Sequence, residues 1–207
     1  MRKNRIWVLA LALAIAGVLG PSAFAQDTHF KIYGGPAYVA PMADSPITFG
    51  TVTDTVQAQQ KVGWNLGFEG RFNDLLGIEI DYVNATQDVD FGDTTIGEAD
   101  FSPLTATLNF HLVHTKGFDF YVGPSYSYVN WGEIHLNASG GNVTGSSDIG
   151  TDSASGWGAA LGLDIGLGQH FAITGGLRYI NVDLELETGP PIEVNPLVGR
   201  LGVAFRF

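Results

Sequence analysis

Charged residues recur at every second position within otherwise apolar segments of this chain. Glu69 and Arg71 are two residues apart, and Glu79 and Asp81 repeat that spacing after a short break. Side chains two residues apart lie on the same face of a β-strand. The same pattern elsewhere predicts a set of charges that face one interior: Glu69, Arg71, Glu79, Asp81, Asp119, Asp164, Arg178, Arg200 and Arg206.

Glu69 and Glu79 are the pair most suited to chemistry. If their segments form a hairpin, the two carboxylates lie opposite each other or one diagonal step apart. Such a pair could bind a cation or a proton, or act as a general acid and base. The alternative is a network of ion pairs with Arg71, Arg200 and Arg206 as cationic partners. We favour the network, because the narrow barrel inferred below has room for little but side chains.

The other reactive residue types show no site pattern. The histidines have no HExxH spacing, so we expect no metal site. A lipid-modifying barrel enzyme would need a histidine and a serine on the lipid side or a triad in the lumen. No serine stands at a matching lipid-facing spacing, and cysteine is absent. We therefore expect neither an enzyme nor a cofactor.

The charges lie in stretches where apolar and polar residues alternate. In the hairpin 61–84, Trp64 and Leu66 share one face, while Gly67 and Glu69 share the other. A period of two predicts β-strands. The eight stretches lie near residues 30–39, 61–72, 76–84, 104–112, 118–128, 156–167, 171–179 and 194–207. The first is the least regular, because Pro36 cannot donate to a strand ladder.

The polar face of these strands decides between two all-β folds. A soluble barrel would turn its apolar face inward, which would leave glycine, serine, threonine and charges outside. Glycine weakens a strand, whereas small residues suit a narrow lumen. We therefore predict an all-β protein that is an eight-stranded antiparallel up-and-down transmembrane β-barrel, with its apolar face towards lipid.

The connections between the strands alternate in length. Outer-membrane barrels have short periplasmic turns and long extracellular loops, so the chain is expected in the bacterial outer membrane. Short turns are predicted near residues 73, 115 and 169, and longer polar segments near 41–59, 86–100, 132–154 and 187–193. Aromatic residues near the long loops are expected to form an outward girdle: Tyr82, Tyr126, Tyr128, Trp131 and Tyr179.

Residues 1–25 have the features of a cleaved secretory signal peptide. A basic start precedes the apolar run 6–19, and Ala23-Phe24-Ala25 precedes a cut at Gln26. A retained anchor is the alternative, but the run is short for a membrane span. Cleavage gives a barrel of residues 26–207 with seven basic and 21 acidic residues, a net charge of −14. That charge disfavours nucleic acid as a partner.

Several motifs, in this order, make the chain resemble the OmpW family of small eight-stranded outer-membrane proteins. They are Ser102-Pro103-Leu104-Thr105, Tyr121-Val122-Gly123-Pro124 with Tyr126, Gly156-Trp157-Gly158-Ala159-Ala160, Arg178-Tyr179 with Val182-Asp183, and Asn195-Pro196 leading to Phe205-Arg206-Phe207. They are spread over most of the mature chain.

The resemblance implies a narrow passive pathway for small hydrophobic or amphipathic molecules. It places the family's constriction at Trp157 and Asp81, although Asp81 is an acid where the family has an apolar residue. Simple alternation turns Trp157 towards lipid as a girdle residue, and only a bulge would turn it inward. The alternative function is a structural or adhesion role for the long loops, without transport.

Three kinds of partner are expected. The alternation that ends in Phe205 and Phe207 resembles the signal by which the barrel-assembly machinery recognises its clients. Outer-membrane lipids would surround the barrel, and a small hydrophobic ligand would enter it. Acidic residues of the long loops could bind lipopolysaccharide through divalent cations, although a solvated repulsive rim is the simpler interpretation: Asp88, Asp90, Asp93, Glu98, Asp148, Asp152, Glu185 and Glu187.

Overall fold

The chain forms a closed β-barrel in a computed structural model. The structure describes residues 29–42, 45–49, 52–58, 61–91, 94–115, 117–132, 134–136, 148–149, 151–186 and 192–207. The predicted signal peptide, residues 1–25, lies outside these ranges. Among the described residues, no helix is long and apolar enough to span a bilayer.

Eight antiparallel strands make the barrel wall. They are β1 (His29–Ala40), β2 (Lys61–Arg71), β3 (Leu76–Phe91), β4 (Thr94–His114), β5 (Phe118–Trp131), β6 (Ala154–Gly166), β7 (Phe171–Ile180) and β8 (Leu197–Arg206). Each strand pairs with its sequence neighbours, and β1 pairs with β8. Closure leaves no unpaired sheet edge in the wall. The predicted eight-stranded up-and-down barrel is confirmed.

The two ends of the barrel differ. At the short-turn end, residues 72–75, 115–117 and 167–170 connect β2 to β3, β4 to β5, and β6 to β7. At the long-loop end, four short strands continue the barrel sheet: Ser45–Phe49, Val52–Ala58, Ile134–Leu136 and Asp148–Ile149. Three others form a separate sheet: Thr151–Asp152, Asp183–Leu186 and Ile192–Glu193. The side chains of the acidic loop residues proposed to bind lipopolysaccharide lie outside the described part of the structure.

Alternation along each strand separates the wall into two faces. Leu161 is 41% exposed on the outer face, whereas Asp164, on the same strand, is 1% exposed in the interior. Most of the exposed large apolar side chains belong to the barrel strands, which gives the wall a continuous apolar outer face. Lipid acyl chains solvate such a face favourably, whereas water does not.

An arginine on this outer face should destabilise the barrel according to its depth. Leu161 lies near the middle of β6, so Leu161→Arg should lower the free energy of unfolding in lipid vesicles by about 2–4 kcal/mol. Leu167, in the turn after β6, is the control. Leu167→Arg should cost about 0–1 kcal/mol. Equal costs in denaturant titrations of both variants would contradict a lipid-facing wall.

Candidate functional site

The barrel interior consists of two layers of opposite character. Towards the long-loop end lies the apolar layer, made of Ala37, Val39, Val83, Ala85, Phe101, Val129, Trp131, Ala154, Ile180, Val182, Val194 and Val198. Towards the short-turn end lies the ionic layer, whose charged members are Lys31, Glu69, Arg71, Glu79, Asp81, His111, Asp119, Asp164, Arg178 and Arg200. Arg206 borders the ionic layer and is half-buried.

Arg178 joins opposite walls of the barrel. It projects from β7, and its guanidinium binds two carboxylates on β3, four strands away around the wall. Nη2 donates to Glu79 Oε1 at 2.7 Å, and Nη1 donates to Asp81. Arg178 is 1% exposed and the two acids are fully buried. An arginine can satisfy two carboxylates at once because its donors form a rigid fork.

Arg200, on β8, completes this half of the ionic layer. Its Nη1 lies 3.0 Å from Glu79 Oε1 and 3.1 Å from Asp81 Oδ2. The same nitrogen contacts the hydroxyl of Tyr33, and that hydroxyl donates to Asp81 Oδ2 at 3.2 Å. Glu79 and Asp81 therefore share two arginines, so their negative charges are compensated inside the barrel.

Lys31 organises the half of the ionic layer nearer the short turns. Its Nζ lies 2.6 Å from Glu69 Oε2 on β2 and 3.0 Å from Asp164 Oδ2 on β6. The ring of Tyr121 lies beneath the ammonium, 4.6 Å from ring centroid to Nζ. Glu69 faces Glu79 directly in the β2–β3 ladder. Different cations thus pair with the two opposed glutamates: Lys31 with Glu69, and the two arginines with Glu79.

Two tyrosine rings fill the lumen over glycines on the neighbouring strand, where Tyr33 pairs with Gly67 and Tyr121 with Gly162. A side-chain carbon on Gly67 would lie 2.1 Å from the ring of Tyr33, and one on Gly162 would lie 2.2 Å from the ring of Tyr121. Both distances are impossible for real atoms, so these glycines leave the space that the rings occupy. Any larger residue would displace a ring that contacts Lys31 or Arg200.

A cavity opens between the short turns. Its volume is about 730 Å³, and its lining includes Lys31, Arg71, His114, Asp119 and Arg206. The ionic layer forms its inner end. Water can therefore reach the lower ion pairs from this side, whereas Glu79 and Asp81 have no exposed surface.

The largest side chains of the apolar layer are those of Phe101 and Trp131, near the long-loop end. Phe101 is fully buried, and its ring centroid lies 5.0 Å from that of Trp131, which is 6% exposed. Trp131 was expected in the outward girdle, and this expectation is wrong. Tyr126 and Tyr128 do face outward. Strict alternation from these two residues places residue 131 on the inner face, so the alternation itself predicted the observed orientation of Trp131.

Trp157 does not form a constriction. It is 70% exposed on the outer face and packs edge-on against Tyr126, with 4.9 Å between ring centroids. An inward Trp157 would need a bulge, but the β5–β6 ladder runs without a register shift from Ala154 to Ile165. The constriction assigned to Trp157 is therefore corrected, and Asp81 belongs to the ionic layer.

The structure brings the predicted charges together but adds residues that sequence reasoning missed. Glu69, Arg71, Glu79, Asp81, Asp119, Asp164, Arg178, Arg200 and Arg206 all lie in or beside the ionic layer. Lys31 was missed because β1 is irregular at Gly34-Gly35-Pro36. The available signal was its position two residues before Tyr33, between Phe30 and Ile32.

Comparisons with known proteins give a consistent result. The family described as outer membrane protein beta-barrel domain matches residues 9–207. The chain is similar to outer membrane protein W of Vibrio cholerae, at 24% identity over 99% of this chain and all of that protein. The resemblance to OmpW inferred from the motifs is confirmed.

Solved structures share the fold. The crystal structure of the outer membrane protein OprG from Pseudomonas aeruginosa matches with a TM-score of 0.76 and 19% identity, over 89% of this chain and 98% of that one. The solid-state NMR structure of the outer membrane protein AlkL matches with a TM-score of 0.63 and 18% identity, over 89% and 92% of the two chains.

Removing Arg178 alone should be costly, because Glu79 and Asp81 would stay buried with less compensation. We expect Arg178→Met to lower the free energy of unfolding by about 3–5 kcal/mol. Adding Asp81→Asn removes one negative charge and leaves Arg200 with Glu79, so the double variant should recover part of the loss. Arg206→Met, at the half-buried rim, should cost about 1 kcal/mol or less. Urea titrations in vesicles would test this; a double variant less stable than Arg178→Met would contradict it.

Proposed function

Because the chain belongs to the outer membrane protein beta-barrel domain family, we propose that it gives small hydrophobic or amphipathic molecules a narrow passive path through the bacterial outer membrane. The carrying observation is the order of the two interior layers. The apolar layer lies at the long-loop end, which is the extracellular end of such barrels. The proposed path involves no catalytic step.

The ionic layer blocks straight passage for an apolar solute. The solute would have to replace the ion pairs of buried groups such as Arg178 and Glu79, and an unpaired buried charge costs several kcal/mol. A solute that enters the apolar layer therefore has a lower-energy way out through the wall, into the hydrocarbon. The path ends in the bilayer rather than in the periplasm.

The wall has an interruption beside the apolar layer. The β3–β4 ladder pairs Tyr82 with Leu104 and Ala85 with Phe101, but not the two residues between them on either strand. Pro103 lies in this gap and has no N–H to donate. On the other side of β4, Pro103 stays paired with Val129 of β5. The interruption is therefore confined to the β3–β4 ladder.

Polar side chains close the gap on the outside. Asn84 Nδ2 donates to Ser102 Oγ at 2.9 Å, on a face that is otherwise apolar. Ladders are also interrupted beside Pro36 and Pro124. The first gap is bordered by Arg200, and the second contains Asn109, which donates to Glu69, so both adjoin the ionic layer. The gap at Pro103 is therefore our proposed exit.

A cross-link over this gap should stop transport. The chain has no cysteine, so Asn84→Cys with Ser102→Cys would give one disulfide between adjacent strands, at two side chains that already meet at 2.9 Å. We expect entry of a small hydrophobic dye into cells to fall towards the barrel-free level when the pair is oxidised and to return on reduction.

The matched control places the disulfide in an uninterrupted ladder. Leu163 pairs with Gly175 between β6 and β7, and a side-chain carbon at Gly175 meets nothing closer than 3.5 Å. Leu163→Cys with Gly175→Cys should leave entry unchanged in both redox states. If the Asn84–Ser102 cross-link has no effect while the barrel transports, the exit is misplaced. If the parent barrel admits no dye, the structural or adhesion function is favoured.

We also propose that the barrel-assembly machinery recognises the C-terminal strand. Phe207 is 59% exposed, and its backbone exchanges hydrogen bonds of 2.9 and 3.0 Å with Phe30 across the β1–β8 closure. Phe207→Ala keeps those bonds and removes only the ring. We expect it to reduce the folded fraction in outer membranes more than Leu201→Ala, an equally exposed residue of β8. Equal insertion of both variants would contradict a recognition role.

A further inference from the structure

The strand β4 contains a bulge just before the short-turn end. The β4–β5 ladder pairs His111 with Tyr121 but then Val113 with Phe120, so Leu112 is the extra residue. Leu112 and Val113 are both exposed on the outer face. The bulge offsets the alternation, so that His114 turns into the barrel mouth together with His111. Bulges commonly re-aim a side chain at a functional position.

The two histidines and an arginine converge on one carboxylate. Asp119 Oδ1 lies 2.9 Å from His111 Nδ1, and Asp119 Oδ2 accepts from Arg71 Nη1 at 2.8 Å. His114 Nδ1 lies 3.0 Å from Arg71 Nη1 and 3.3 Å from Asp119 Oδ2. The Arg71–Asp119 pair links β2 to β5, three strands apart around the mouth.

His114 Nδ1 can satisfy only one of its two neighbours at a time. With a lone pair on Nδ1 it accepts a hydrogen bond from Arg71, and the Arg71–Asp119 pair is reinforced. When the ring takes up a second proton, Nδ1 donates to Asp119 instead, and the positive charge of the imidazolium repels the guanidinium. Protonation of one ring therefore exchanges one arrangement for the other.

His111 cannot take over this exchange. It is buried between Asp119 and Glu69, whose Oε1 lies 3.0 Å from His111 Nε2. A neutral imidazole has one N–H, so donation to both carboxylates requires the imidazolium. His114 is about one-third exposed, at 32% of its side chain, and lines the cavity. Its proton can therefore exchange with solution.

Other charged groups set the field around His114. Arg71 and Asp119 contact it from β2 and β5, and His111 lies on its own strand. Among the described residues, the remaining titratable and charged side chains that line the cavity from the neighbouring elements are His29, Lys31, Glu69, Asp164, His170 and Arg206. Lys31, Glu69 and Asp164 are paired with one another, so the exchange at Asp119 leaves their contacts in place.

We infer that the short-turn end carries a proton-operated latch. With neutral His114, Arg71 holds Asp119 and ties β2 to β5. With protonated His114, the imidazolium holds Asp119, Arg71 keeps only its bond to the Asp74 carbonyl, and the mouth loosens. Acid in the compartment that the short turns face thus relaxes this end of the barrel. The latch does not depend on the transport route, which ends above the ionic layer.

Spin labels on two short turns can test the latch. Asp74 is exposed beside β2, and a side-chain carbon at Gly117, next to β5, meets nothing within 4 Å. Asp74→Cys with Gly117→Cys gives two labelling sites in a chain without other cysteines. Distances in bilayer nanodiscs would be measured at about pH 8 and about pH 5. We expect a narrow distribution at the higher pH and loss of the narrow component at the lower pH.

Two variants separate the latch from general acid effects. A glutamine amide oxygen can accept from Arg71 but the amide cannot carry a charge, so His114→Gln should keep the narrow distribution at both pH values. His170→Gln changes another rim histidine, bonded to the Arg206 carbonyl, and should behave like the parent. A parent distribution that is unchanged by pH would overturn the latch. So would a pH-dependent change that persists in His114→Gln.

Discussion

The bond from Arg178 to Glu79 and Asp81 is the constraint on which the interior depends. These groups are buried on opposite walls, and none could remain charged there alone. Their mutual satisfaction requires β7 and β3 to face each other across a closed lumen in one register. A slip of one residue in either strand would turn the charges to lipid. The ion pairs therefore specify how the barrel closes, whatever they contribute to net stability.

The ion pairs of Arg178 also mark the boundary between the polar and the apolar part of the lumen. Below it, Glu69, Asp119 and Asp164 each have a cationic partner, and the cavity between the short turns exposes the lower pairs to water. Above it, valines, alanines and the Phe101–Trp131 pair fill the interior. Under the proposed function, an apolar solute would be stabilised in the upper layer and excluded from the lower one. The proline gap in β3–β4 lies at the upper level, where a break in the wall costs the fewest polar contacts.

Alternation predicted the fold because lipid and lumen impose opposite solvents on successive residues. It predicted the charges of β2, β3, β7 and β8 for the same reason. It failed at Trp131, where the interior is itself apolar and hydrophobicity no longer distinguishes the two faces. It failed at Lys31, where Gly34-Gly35-Pro36 hides the period of β1. Contacts across the lumen, such as Lys31 with Asp164, join residues far apart in sequence, and no local pattern encodes them.

The bulge at Leu112 shows how one departure from alternation creates chemistry. In a regular strand His114 would share the outer face with Leu112, and Asp119 would have only His111 and Arg71 as partners. One extra residue moves the imidazole of His114 to the aqueous mouth, where the ring can exchange protons with the solution. The buried pairs of Arg178 have no such access. The same barrel thus contains ion pairs that fix its closure and an ion pair that solution pH can rearrange, and their depth separates the two roles.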